Sequence, residues 1–154
     1  MGRTSQIGPI KMLRGGPQAR VDDKGRLKIP SDFIAELDQI CRGTFYITSS
    51  DGQYAWIYPM PEWNKLEERI ANDPSLAQAR RDFLKWTNYY GQVVNWDKQG
   101  RLVLPQKLRE AADLRGEVAV LGNLNHLAVW NNQRYQADLE KRPVTPEVLD
   151  ALGI

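Results

Sequence analysis

Apolar and polar residues follow two rhythms along this chain, one of period two and one of period three to four. Four short runs, at residues 44–49, 54–58, 117–122 and 126–130, carry the β-branched and aromatic enrichment of strands. They fall into two pairs, split by turns at 49–52 and 122–125, and Asp51-Gly52 in the first turn favours a hairpin. Phe33 and Leu37 stand four apart, as do Leu108 and Ala112, and each pair predicts one face of a short helix. A longer helix is predicted over residues 61–71, with Trp63, Leu66 and Ile70 on one face. Asp73-Pro74 then restarts the chain as N-cap and first helical residue. The helix that follows carries Leu76, Ala79, Phe83, Trp86 and Tyr90 in steps of three and four, and Gly91 ends it. That stripe is expected to be the seam that holds the two halves of the chain together. A last helix after Thr145-Pro146, with Val148, Leu149 and Leu152, is expected to dock on the body or on a neighbouring molecule.

The strand pairs belong to a longer repeat. Residues 16–30 (GPQARVDDKGRLKIP) align on residues 91–105 (GQVVNWDKQGRLVLP), with Gly16, Asp22, Gly25, Arg26, Leu27 and Pro30 matching Gly91, Asp97, Gly100, Arg101, Leu102 and Pro105. Beyond the prolines, Gly43 and Gly116 each open a strand-like run. Each half therefore reads strand, tight turn, strand, short helix, strand, hairpin, strand. The organisation expected is a first repeat at 12–60, linking helices at 61–90, a second repeat at 91–135 and a C-terminal helix or tail at 136–154.

An aspartate three residues before a glycine, between two strands, describes a tight turn. The carboxylates of Asp22 and Asp97 can accept hydrogen bonds from backbone N–H groups ahead of them. Gly25 and Gly100 can take a positive φ without steric cost. These four residues are read as the structural turn. Arg26 and Arg101 then project from the start of the next strand, which Pro30 and Pro105 stop. If the strand already runs through Lys24, then Lys24, Arg26 and Lys28 share one face. Such a cationic row repels itself unless an anion relieves it.

Charge sharpens that picture. The formal net charge of the 154 residues is only +2, but residues 1–30 hold seven cations against two acids, a net +5, so the remaining 124 sum to −3. A basic N-terminal region on a mildly acidic body suggests a polyanionic partner. Residues 1–12 themselves are read as a solvated tail. Cys41 and His126 are the single cysteine and single histidine, so no intrachain disulfide and no cysteine zinc cluster can form. No metal and no cofactor is expected. His126, the only histidine base, lies in the second hairpin with no Ser, Cys or carboxylate cluster beside it in sequence, and reads as a satisfied surface or interface residue. Phosphate-cradling glycine loops are missing too, so an enzyme is not expected. The chain has no apolar run of the roughly 18 residues that span a bilayer, and its first residues lack a signal peptide's apolar core. Cytoplasmic residence is the expectation.

The doubled motif, Asp22-Asp23-Lys24-Gly25-Arg26 and Asp97-Lys98-Gln99-Gly100-Arg101, resembles that of the MraZ family of bacterial transcriptional regulators. Similarity extends over Met12-Leu13-Arg14-Gly15, over Tyr58-Pro59-Met60-Pro61-Glu62-Trp63 and over the linking helices, from about residue 12 to about 140. The resemblance implies a mainly β fold with helices, barrel-like, made of two pseudo-symmetric AbrB-like swapped-hairpin halves joined by two helices. It further implies ring-shaped homo-oligomers that bind short repeated elements of double-stranded DNA upstream of their own operon, at the nucleoid. The DNA-binding set is then Arg14, Arg20, Lys24, Arg26, Lys28, Lys98 and Arg101. Three departures stand out: a basic stretch before Met12, Gln99 in place of Lys24, and fewer cations in the second half. An AbrB-like protein-interaction module, such as an antitoxin, is the alternative. The covalent doubling and an ordered-looking C-terminus speak against it.

Overall fold

The computed structural model describes residues 12–154; the residues before Met12, including the extra basic stretch, lie outside it. Strand β1 (Gln18–Val21) turns into β2 (Arg26–Lys28), followed by helix α1 (Ser31–Cys41), β3 (Thr44–Thr48) and β4 (Ala55–Pro59). Helix α2 (Met60–Ala71), a 3-10 turn (Pro74–Leu76) and α3 (Ala77–Tyr89) lead to the second half. There β5 (Gln92–Asn95), β6 (Arg101–Val103), α4 (Gln106–Ala111), β7 (Gly116–Asn123) and β8 (His126–Asn131) repeat the first order. Helices α5 (Asn132–Lys141) and α6 (Pro146–Ala151) close the chain. All the expected strands form.

The eight strands make one antiparallel sheet in the order β5-β3-β4-β8-β7-β1-β2-β6, and β5 and β6 approach each other to leave it nearly closed. Exchanging each strand of one half for its counterpart in the other reproduces the same circular order in reverse. The two halves are thus related by a pseudo-twofold. Each β-turn-β hairpin sits between strands of the opposite half: β1-β2 lies between β7 and β6. Four of the pairings, β1–β7, β2–β6, β3–β5 and β4–β8, cross between the halves. This is the swapped-hairpin arrangement in a single chain.

Local sequence accounts for the pieces. Alternation in the three-residue strands points Leu27 and Leu102 inward, both 0% exposed, and sets them opposite each other across the β2–β6 ladder. Pro30 and Pro105 end these strands and start α1 and α4, whose inward faces bury Phe33, Leu37, Leu108 and Ala112. Trp63 anchors α2, stacked on Tyr46 at 4.8 Å and on Phe83 at 6.0 Å. Asp73 accepts from the Ser75 N–H at 3.0 Å, so Pro74 opens a 3-10 turn before α3 begins.

Two expectations for the helices change. The α3 stripe is not a buried seam: Trp86 is 47% exposed, Ala79 is exposed, and only Thr87 of that helix is fully buried. Its carbonyl accepts from the hydroxyls of Thr48 (2.7 Å) and Tyr46 (3.1 Å), which tie the end of α3 to β3. The halves are joined instead by the cross-half ladders, whose backbone bonds an amphipathic stripe could not match. The other change concerns α6, which buries no side chain on this molecule, so docking on the body does not occur among the described residues.

Removing a side chain at the axis should therefore cost far more than removing one on α3. Leu102→Ala is expected to lose about 2–5 kcal/mol, the cost of a cavity at a fully buried leucine. Trp86→Ala should lose less than about 1 kcal/mol, as befits a half-exposed position. Denaturant unfolding followed by circular dichroism measures both, and equal losses would restore α3 as the seam.

Candidate nucleic-acid interface

In both turns one aspartate organises the whole loop. The Asp22 Oδ1 accepts from the N–H groups of Lys24 (3.0 Å) and Arg26 (2.9 Å), while Oδ2 accepts from Arg26 Nε at 2.7 Å. At Asp97 the same three bonds come from Gln99 N–H (2.9 Å), Arg101 N–H (3.0 Å) and Arg101 Nε (2.7 Å). Gly25 and Gly100 complete the turns at φ 78° and 72°, where an L side chain is strained. The Arg26 and Arg101 N–H groups are the main cause that lowers the two carboxyls, Asp97 to about 2. Each carboxylate takes the Nε edge of its arginine, so the two Nη groups are the donors a ligand would meet.

Strand geometry then gathers the cations. Arg26 and Lys28 both point outward from β2, and across the ladder Lys28 stands directly opposite Arg101 and Arg26 opposite Val103. Like charges directly opposed on one face destabilise a sheet. The Lys28 ammonium also donates to the Gln99 carbonyl, which bridges the two turns. Lys24 does not share that strand face, because positive φ at Gly25 interrupts the extended backbone and leaves Lys24 in the exposed turn. Lys98 takes the equivalent place of Asp23 in the second turn and is also exposed. An open concavity of about 490 Å³ lies over this face, lined by Arg20, Arg26, Lys28, Arg101 and Arg115 together with Asp22 and Asp23.

A protein-family comparison meets this geometry. The family described as "MraZ protein, putative antitoxin-like" matches residues 12–86 and 91–144, one segment for each turn motif. The chain belongs to the MraZ family. It is 48% identical over 147 residues to a protein of Koribacter versatilis, covering 93% of this chain and all of that one. Identity is 45% over 142 residues with a protein of Acidobacterium capsulatum, covering 92% and 97% of the two chains. With a Pediococcus pentosaceus protein it is 33% over 130 residues, covering 84% and 88%. All three relatives carry the name transcriptional regulator MraZ.

Within this MraZ fold the cations are not distributed equally. Across the pseudo-twofold, Asn95 and Val103 stand where the first half has Arg20 and Lys28. Positive charge therefore concentrates around the first turn. Arg14 lies apart: it follows the Leu13–Leu124 bridge, whereas Arg20 pairs with Glu117 near the opposite end of β7. Arg115, in contrast, joins the concavity from the residue before β7, with its Nε 2.7 Å from the Asp113 carboxylate. Sequence reading missed it, although Arg42-Gly43 and Arg115-Gly116 hold parallel places in the repeat and could have flagged both arginines.

His126 is neither on the surface nor at an edge. It is 8% exposed, stacked on the Tyr58 ring at 4.2 Å and 7°, with Asn125 at 2.9 Å from Nδ1 and Asn123 at 3.3 Å from Nε2. Burial lowers its pKa to about 4, so the ring is neutral near pH 7. Asn125 in turn donates to the buried Glu62 at 3.2 Å, tying the β7–β8 hairpin to α2. Among the described residues no three His, Cys, Asp or Glu side chains gather as a metal site, and no helix is long and apolar enough to cross a membrane.

This histidine makes stability depend on pH in a defined direction. Below the ordinary value of 6.5 the unfolded chain binds a proton at His126 while the folded chain resists it down to about 4. Stability should fall as pH drops through that window. His126→Gln should flatten this part of the profile in urea titrations at pH 7, 5.5 and 4.5, and an unchanged slope would place the loss elsewhere.

Proposed function

We propose that this protein is a sequence-specific DNA-binding transcriptional regulator that uses the outward face of β2 and β6. The observation that carries the reading is the cationic concavity lined by Arg20, Arg26, Lys28, Arg101 and Arg115, where three arginines are ion-paired through Nε to Asp22, Asp97 and Asp113 and Lys28 opposes Arg101. Among the described residues Arg20 and Lys28 have no carboxylate within ion-pair distance, a charge that phosphates can neutralise, and phosphate contacts supply a large share of a DNA-binding protein's affinity. Arg26 and Arg101, fixed at Nε and free at their forked edge, are shaped for bidentate contact with a guanine or a phosphate. The name shared by its relatives, transcriptional regulator MraZ, supports the same conclusion. No catalytic role is assigned to any residue.

The finer proposal is repression of its own division and cell-wall operon through short upstream DNA repeats, in the cytoplasm at the nucleoid. Lys24 and Lys98 add phosphate contacts from the turn tips, and Arg14 reaches DNA only where the duplex extends along β7. One concavity offers few base contacts, each worth about 1–3 kcal/mol of discrimination. Copies joined in a closed ring make later contacts intramolecular and raise affinity when DNA repeats match their spacing.

Two measurements test this. In fluorescence anisotropy with the DNA upstream of the gene, affinity should fall steeply with salt, and Arg115→Ala should flatten the log–log slope by about one unit. Arg26→Ala should abolish specific binding and Arg101→Ala weaken it less; salt-insensitive affinity would end the DNA reading. Separately, DNA carrying two or three repeats should bind far more tightly than DNA carrying one. Equal affinities with a monomeric protein would remove the multimer while leaving DNA binding intact.

A further inference from the structure

Among the described residues, helix α6 is a finished helix with nothing to lie on. Thr145 caps its first turn, accepting from the Val148 N–H at 3.3 Å, and Pro146 occupies the first helical position. Gly153 closes the other end at φ 75°, with the Ile154 N–H donating to the Leu149 carbonyl at 3.0 Å. Yet every residue from Leu139 to Ile154 is exposed, and Val148, Leu149, Leu152 and Ile154 present apolar side chains to solvent. Six residues are far fewer than the roughly 12–15 that an isolated helix needs in water, so packing against another surface is what would hold it.

A matching surface exists elsewhere on the same chain. On α3 and β5, Trp86 (47%), Tyr89 (57%) and Val93 (53%) are exposed large apolar residues near a groove lined by Tyr89, Gln92, Pro105 and Lys107, with Glu110 as its one acid. Trp86 and Tyr89 both pack against the Tyr90 ring, and exposed apolar residues clustered on a polar surface mark an interaction site. Charge complements shape: the helix carries Glu147 and Asp150 among its apolar residues, while Arg81 and Lys85 line the same side of α3 as Tyr89, one turn apart. Lys107 sits 4.2 Å over the Tyr89 ring at the rim. The wider concavity near Tyr54 and Trp130 is the weaker receptor, because neither of those aromatics is among the exposed ones.

We propose that α6 of one molecule docks on the α3–β5 face of a second copy, with Glu147 and Asp150 against Lys85 and Lys107. This rests on the self-association reading above and gives it a contact. The two patches differ, so the contact is head-to-tail, and repetition of it around a closing rotation makes a ring.

Charge reversal separates the outcomes without touching the core or the DNA face. Full-length Glu147→Lys/Asp150→Lys and Lys85→Glu/Lys107→Glu variants are each expected to drop in mass by at least half in light scattering. A one-to-one mixture should regain the parental mass, because each reversed helix then faces a reversed receptor. Multimers unchanged by either pair of substitutions would overturn the contact but leave self-association standing. Variants that fall apart and do not reassemble on mixing would overturn it in favour of a clasp within one chain. A monomeric parental protein would overturn the self-association reading and this contact together.

Discussion

Two hydrogen bonds at the pseudo-twofold hold the rest of this molecule in place. The Ile29 N–H donates to the Gly100 carbonyl at 3.0 Å, and its counterpart, the Leu104 N–H, donates to the Gly25 carbonyl at 2.9 Å. Each turn motif is thus completed by the other, with Leu27 opposed to Leu102 beneath them. Ile29 and Leu104 are buried, so an unmade bond here would leave polar backbone without water, a penalty of about 1–3 kcal/mol each. Neither half can satisfy these groups alone. The reciprocal bonds explain why the hairpins are exchanged rather than folded back on their own strands.

The same crossing builds the cationic face. Cations from residues 20, 26 and 28 meet Arg101 and Arg115 only because β2 pairs with β6 and β1 with β7. Pseudo-symmetry in the backbone is joined to asymmetry in charge, since Asn95 and Val103 hold the repeat positions that Arg20 and Lys28 hold in the first half. The scaffold is symmetric and the chemistry is one-sided. That division frees the second turn to act as brace: Gln99 receives the Lys28 ammonium, and Ile34 packs over Gly100 where Arg109 packs over Gly25.

Away from the axis, aromatic stacking does the work of a core. Trp63, Tyr46, Tyr58 and Phe83 link α2 and α3 to the β3–β4 hairpin, and Tyr58 passes the contact on to His126. Offset and edge-on ring contacts add about 0.5–1.5 kcal/mol each beyond area burial. The buried Trp63 Nε1–H lacks an acceptor among the described residues, the one apparent cost of this arrangement.

How much the sequence determined follows from the range of the forces involved. Five consecutive residues contain everything the Asp-x-x-Gly-Arg turn requires, namely the carboxylate, the N–H groups it binds and the glycine that permits positive φ. The repeat of that motif at residues 22–26 and 97–101 likewise implied two equivalent halves, and the fold has them. Helix faces at Phe33, Leu37, Leu108 and Ala112 were legible because period and burial coincide there. The α3 stripe misled for the converse reason: period marks an apolar face but not what covers it. Strand partnership, the entry of Arg115 into the concavity, the isolation of Arg14 and the burial of His126 under Tyr58 came only from tertiary structure. Each depends on which distant strand supplies the next hydrogen bond, and that choice is made by the closed set of pairings as a whole, not by any local run of residues.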